Sequence, residues 1–210
     1  MPREKNKTIN DRNMGVAWVF ETDKSAVSIE RAIEGEGGVK GGIFTVDSTP
    51  FKPSDNVQGA INHVFILHHS RFPQSTFTIA PNEKQKHCPR AISDRGFDCI
   101  LAKLSSGLVQ DTAGKFEVSG HEYTLQDFII RTGNASMGVI SKGVIVEVEY
   151  APSCVASQCG NFLQEFIAMF FPDHVADKPL VLQKAQPEPY SALDTMHQYL
   201  DIFQNMRKKT

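Results

Sequence analysis

The sequence predicts an α+β fold: an antiparallel β-barrel or strongly curved sheet, with two main C-terminal helices and a short N-terminal helix. Three observations carry this reading. Between Gly42 and Tyr150, short runs rich in β-branched and aromatic residues follow one another, separated by Gly, Pro, Asn and Ser. No helical pattern interrupts them, so the strands are expected to pair antiparallel rather than through βαβ crossovers. In the last quarter, apolar residues instead recur at helical spacing.

In chain order, Met1 to Asn13 is polar and charged and reads as a disordered leader, residues 1–13. Residues 14–210 are left for one barrel domain, a length at which roughly 70% of the unfolded surface can be buried without disulfides or metals. Met14 to Phe20, "MGVAWVF", begins ordered-looking sequence and holds the only tryptophan, Trp18. Ser25 to Ile33 places Ala26, Ile29 and Ile33 on one helical face. The following "EGEGGVKGG", Glu34 to Gly42, reads as a turn, and its spacing fits no phosphate-binding fingerprint.

Six strand candidates come next: "GIFTVDS", "HVFILHH", "STFTIA", "FDCILAKL", "EYTLQDFIIRT" and "GVIVEVEY". Ser157 then caps a helix running to about Phe171, with Phe162, Leu163, Phe166, Ile167 and Phe170 on its apolar face and Pro172 as its stop. A Pro-rich connection, "QPEPY", leads to a second helix. Ser191 and Asp194 give its start signal, and Leu193, Met196, Leu200, Phe203 and Met206 form its apolar stripe.

Composition narrows the function classes. The chain has 210 residues, net charge −2 and 22 scattered Lys and Arg, with a dense basic run only at Arg207-Lys208-Lys209. A duplex-binding domain carries a basic stripe that displaces counterions, so direct nucleic-acid binding is not expected. No apolar run approaches the ~20 residues of a membrane span, and none of the first thirteen residues supplies a secretory core. We therefore expect an intracellular chain. Its cysteines, Cys88, Cys99, Cys154 and Cys159, contain no C-x2-C pair and are expected to be reduced and buried.

The chemistry turns on Glu147 and Glu149. In a strand they share one side while Val144, Val146, Val148 and Tyr150 take the other. Carboxylates ~7 Å apart repel by about 0.6 kcal/mol in water and about 2.4 kcal/mol at an effective dielectric of 20. Inside a barrel the pair would demand cations; on a wet face it is nearly free. E-x-E on a strand resembles the metal site of triphosphate tunnel enzymes, which also place Lys two residues after the second Glu. Ala151 stands there. The other E-x-E, Glu34-Gly35-Glu36, lies in the glycine turn, and the other five strand candidates supply only Lys103 and Arg131 as lysine or arginine. A wet or partner-facing surface is therefore expected, with no catalytic, cofactor or metal residue; a divergent metal-dependent triphosphatase using Glu147 and Glu149 is the alternative. His68 and His69, adjacent in a strand, face opposite ways and cannot share a metal. His87-Cys88 with Asp98-Cys99 matches no standard metal spacing.

Several stretches together resemble one family, subunit 20 of the Mediator complex of RNA polymerase II transcription. The strongest runs from Gly143 to Cys159: "VEVEYAP", then Val155 to Ser157, then Cys159 and a Phe/Leu-rich helix. "DTMHQYLDIFQNMRK", Asp194 to Lys208, is similar to the family's closing helix. Shorter likenesses keep the same order: Met14-Gly15-Val16, "GIFTVD", His68 with Ser70 and Pro73, Phe97-Asp98 with Lys103-Leu104, Asp127-Phe128 and Met137-Gly138. The leader departs from the pattern. The resemblance implies a nuclear, non-enzymatic subunit of the Mediator head module with a β-barrel related to the triphosphatase tunnel. It also implies pairing with Mediator subunit 18, to which a C-terminal segment of subunit 8 is attached, and indirect contact with the RNA polymerase II machinery.

Overall fold

The computed structural model describes residues 14–54, 63–81, 88–104, 107–183 and 189–209. The expected leader and most of "QPEPY" lie outside the described residues. Nine strands and five α-helices are described: β1 (Val16–Thr22), α1 (Ala26–Gly35), β2 (Val39–Pro53), β3 (Val64–His69), β4 (Ser75–Ile79), β5 (Arg90–Asp94) and α2 (Gly96–Lys103). Then follow β6 (Leu108–Gln110), β7 (Phe116–Leu125), β8 (Phe128–Met137), β9 (Ile140–Tyr150), α3 (Ala156–Phe170), α4 (Leu180–Gln183) and α5 (Ala192–Lys208).

All strands pair antiparallel in the order β1-β9-β8-β7-β2-β3-β4-β5, with β6 added to β2. Among the described residues β1 and β5 do not pair with each other, so the strongly curved sheet is realised and the closed barrel is not. Curvature shows in α5, which touches β1 at one edge and β4 and β5 at the other. It runs inside the curl, where closure would otherwise occur. Facing glycines on β7 and β8 permit the tight approach of those strands: a Cβ on Gly120 would lie 1.9 Å from the Thr132 carbonyl oxygen.

β9 and the adjoining part of β8 are covered on both faces. On the outer face, Ile29 and Ile33 of α1 and Leu163, Phe166 and Ile167 of α3 bury Trp18, Ile130, Val146 and Val148. On the inner face, Met196, Tyr199, Leu200, Phe203 and Met206 of α5 bury Phe44, Val46, Leu67, Val118 and Ile145, with Phe203 stacked on Phe116 at 5.0 Å. α2 closes a smaller cluster of Leu101, Phe51 and Ile66.

Several elements differ from expectation. "FDCILAKL" is a helix, α2, because Phe97 and Leu101 one turn apart pack on Phe51 and Ile66, with Asp98 in the first turn and Lys103 in the last. A short apolar run does not distinguish the two states by itself. "EYTLQDFIIRT" is the heart of a hairpin: Leu125 pairs with Phe128, and Gln126 takes φ 52° in the two-residue turn between them. The glycine turn is shorter than expected, since β2 begins at Val39 and absorbs Gly41 and Gly42 in a register shift between Lys40 and Ile43. α3 starts at Ala156, so Ser157 lies inside the helix rather than capping it. β1, β5 and β6 have no counterpart among the expected strands.

Candidate functional site: the carboxylate cluster beneath α5

Glu147 and Glu149 lie on β9 with their side chains toward α5, and both are fully buried at 0% exposure. This corrects the expected wet or partner-facing surface. Strand alternation placed the two glutamates on one side, as expected, but it carries no information about what covers that side. The cover is α5, which lies some fifty residues further along the chain.

Burial is possible because a cation stands in register. Arg131, also at 0% exposure, is the β8 partner of Glu147. Its Nη1 donates to Glu147 Oε1 at 2.5 Å and to Glu149 Oε2 at 2.8 Å, and its Nε donates to Glu122 Oε2 at 2.7 Å. His69 completes the cluster from β3. The Arg71 backbone N–H donates to His69 Nδ1 at 3.0 Å, so the ring proton sits on Nε2 and is directed at Glu147 Oε2, 3.1 Å away. The Tyr199 hydroxyl, from α5, donates to the same oxygen at 2.7 Å. Glu149 Oε1 accepts the Gly15 N–H at 2.8 Å and lies 3.5 Å from Arg71 Nη2. All four oxygens of the pair thus have donors.

The electrostatics follow the geometry. Burial opposes charge on Glu147, but Arg131 and then His69 outweigh it and hold the carboxyl well below the usual range. Burial likewise opposes charge on Arg131, and Glu147, Glu149 and Glu122 outweigh it, leaving the guanidinium charged. Burial, followed by the charge of Glu147, pushes the Tyr199 hydroxyl well above its ordinary value, so it stays a donor. A divalent cation at this pair would have to displace Arg131, Tyr199 and the Gly15 amide from the oxygens it needs. Among the described residues, no group of three or more His, Cys, Asp and Glu is placed to hold a metal.

The other residues singled out in the sequence scatter. His68 and His69 do face opposite ways: His68 bridges Asp47 at 3.1 Å and Asp98 at 3.3 Å, away from the cluster. Of the cysteines, Cys159 is buried, Cys88 is intermediate, and Cys99 and Cys154 are exposed, which corrects the expectation that all four are buried. His87 lies outside the described residues. Lys103, at the end of α2, is exposed and makes none of the hydrogen bonds to the carboxylates.

Two features escape sequence reasoning. Gln198 of α5 completes the outer edge of β1: its Oε1 accepts the Val19 N–H at 2.9 Å, and its Nε2 donates to the Ala17 carbonyl at 3.1 Å. A polar residue within the apolar stretch of α5 was the available signal. The second is the solvent face of α3. Phe162 and Met169 are exposed there, Phe162 stacks on Tyr150 at 5.5 Å, and Glu165 is the helix's only charged residue. Depletion of charge with exposed Phe and Met is the composition of an interface core.

Comparison with known proteins gives consistent results. The family described as TATA-binding related factor (TRF) of subunit 20 of Mediator complex matches residues 14–204. A Mediator of RNA polymerase II transcription subunit 20 from Caenorhabditis briggsae is 45% identical, over 94% of this chain and 100% of that protein. The Homo sapiens protein of that name is 32% identical, over 93% of this chain and 92% of its own. A chain of the Schizosaccharomyces pombe Mediator head module overlays at a TM-score of 0.39 and 8% identity, covering 80% of this chain and 96% of that one, a likeness too loose to carry an argument. With a match spanning nearly every described element, from β1 into α5, the chain belongs to the Mediator subunit 20 family, whose members are non-enzymatic subunits of a transcription coactivator complex.

Proposed function

We propose that this chain is a scaffold subunit of the nuclear Mediator head module, built on residues 14–210 as one domain. In this reading it pairs with Mediator subunit 18, close to the C-terminal segment of subunit 8, and helps couple gene-specific regulators to the RNA polymerase II machinery without touching nucleic acid. The observation that carries the reading is the match to the subunit 20 family from residue 14 to residue 204. The charge-poor face of α3, with Phe162 and Met169 exposed and Glu165 its one charge, supports a protein partner, because such a surface gains by leaving water. Affinity purification from nuclei followed by mass spectrometry tests it. Recovery of subunits 18 and 8 is expected, and a purification free of Mediator subunits would overturn the proposal.

The triphosphatase alternative draws no support from the site. Glu147 and Glu149 have their oxygens taken up by donors from β3, β8, α5 and the residue before β1. Phosphate release from triphosphate-ended RNA with Mg2+ or Mn2+ is expected to be no higher for the wild type than for a Glu147→Ala, Glu149→Ala variant.

A further inference from the structure

The sheet's open seam contains a groove that the carboxylate cluster does not use. Two cavities, of about 650 Å³ and about 420 Å³, share Val19, Asp177 and Ile202 and so form one continuous trough. Its floor is the outer edge of β1, one wall is α5, and the other is the segment from His174 to Val181.

We infer that this trough binds an extended, lysine- or arginine-rich polypeptide segment, which adds as a short strand to the free end of the β1 edge. Two independent observations support this. The first is backbone geometry. Ala17 and Val19 point outward and are met by Gln198. Strand alternation sends the Glu21 N–H and C=O to the same edge. The Val19 carbonyl and both Glu21 backbone groups have no partner among the described residues. Edges are normally blunted or covered, and here Gln198 blunts only the first half. An extended guest supplies the missing partners, as in strand addition to other exposed sheet edges.

The second observation is charge. Five carboxylates line the trough, from Glu21, Asp23, Asp177, Asp194 and Asp201, against two fixed cations, Arg90 and Lys209. Arg90 is held by Asp194 at 2.7 Å and Lys209 by Glu21 at 2.8 Å. Among the described residues, the ion pairs of Asp177 and Asp201 are with histidines, His174 and His197. The surplus is negative, and a cationic guest complements it. This site lies apart from the α3 face and goes beyond the scaffold reading, which co-purification tests separately.

The test is fluorescence polarisation of the full chain with a labelled octapeptide of alternating Lys and Val at about 0.15 M salt. Its controls are the Glu-Val counterpart and a Lys-Val peptide carrying a central proline. Binding of the Lys-Val peptide alone is expected, weakened about tenfold by the Asp23→Asn, Asp177→Asn, Asp201→Asn variant. All three positions are exposed or half-buried, so the variant is expected to melt like the wild type. Hydrogen exchange of the Glu21 amide in the wild type should slow when the Lys-Val peptide is present. Equal binding of the Glu-Val or proline peptide, an unaffected variant, or an unchanged Glu21 amide would overturn the inference.

Discussion

Arg131 on β8 and Glu147 on β9 are cross-strand partners in a nine-stranded sheet, two strands in from the β1 edge, joined at 2.5 Å with both side chains fully buried. The pair anchors more than the sheet. Through Tyr199 it reaches α5, through His69 it reaches β3, and through Glu149 it reaches Gly15 just before β1. The elements that the curl brings together thus meet at one set of charges.

Removing the cation should be costly. An Arg131→Met variant leaves Glu147 and Glu149 buried without their principal counter-charge, a change on the order of 3–5 kcal/mol. The expected result in urea denaturation is a large fall in midpoint at neutral pH. Tyr199→Phe, which removes one donor of two from Glu147 Oε2, should cost only about 1–2 kcal/mol.

Acid sensitivity follows from the same group. The Glu147 carboxyl is held well below its unfolded value of 4.5 by Arg131 and His69 acting against burial. The unfolded chain therefore takes up this proton first as pH falls. The stabilisation is complete above about pH 4.5 and is lost progressively below it, toward the depressed folded value. Urea midpoints measured from pH 7 to pH 3 should fall in the acid range, and a Glu147→Gln variant should show a shallower decline from a lower starting point.

Gln198 offers a test of the seam. Gln198→Ala leaves the Val19 amide and the Ala17 carbonyl without the side chain that pairs them, although Tyr190 still donates to the Ala17 carbonyl at 3.1 Å. A loss of about 1–3 kcal/mol is expected. Hydrogen exchange at Val19 should accelerate more than at Ile145, which lies in the sheet interior.

The α3 face separates binding from folding. Met169 is largely exposed, so Met169→Ser should leave the melting temperature nearly unchanged while reducing recovery of Mediator subunits in affinity purification. Phe162→Ser should reduce recovery further, with a small loss of stability because its ring also stacks on Tyr150. Unchanged recovery with both substitutions would move the interface elsewhere.

Local patterns proved most informative where local physics decides. The α5 start was legible because Asp194 reaches back to the Ser191 N–H at 2.9 Å, an interaction spanning three residues. α1 was legible from the Ile29 and Ile33 spacing, and β9 from its alternation. α2 was not, because its helical state depends on Leu101 meeting Phe51 and Ile66 across the fold. The β7–β8 hairpin was missed because Gln126-Asp127 is not one of the glycine-bearing pairs that announce a two-residue turn. Arg131 was noticed as an isolated charge in an apolar strand, but its register opposite Glu147 is a property of the pairing.

By itself, then, the sequence determined the α+β class, the two C-terminal helices, the sidedness of Glu147 and Glu149, and membership of the Mediator subunit 20 family. The tertiary structure alone decided that the sheet stays open, that α5 fills its curl, and that the glutamates are buried rather than wet. The division has a physical cause. Periodicity, capping and turn chemistry act over a few residues, whereas burial and charge pairing depend on which distant elements meet. For Glu147 these are Arg131, His69 and Tyr199, three residues on three other elements, and only folding brings them together.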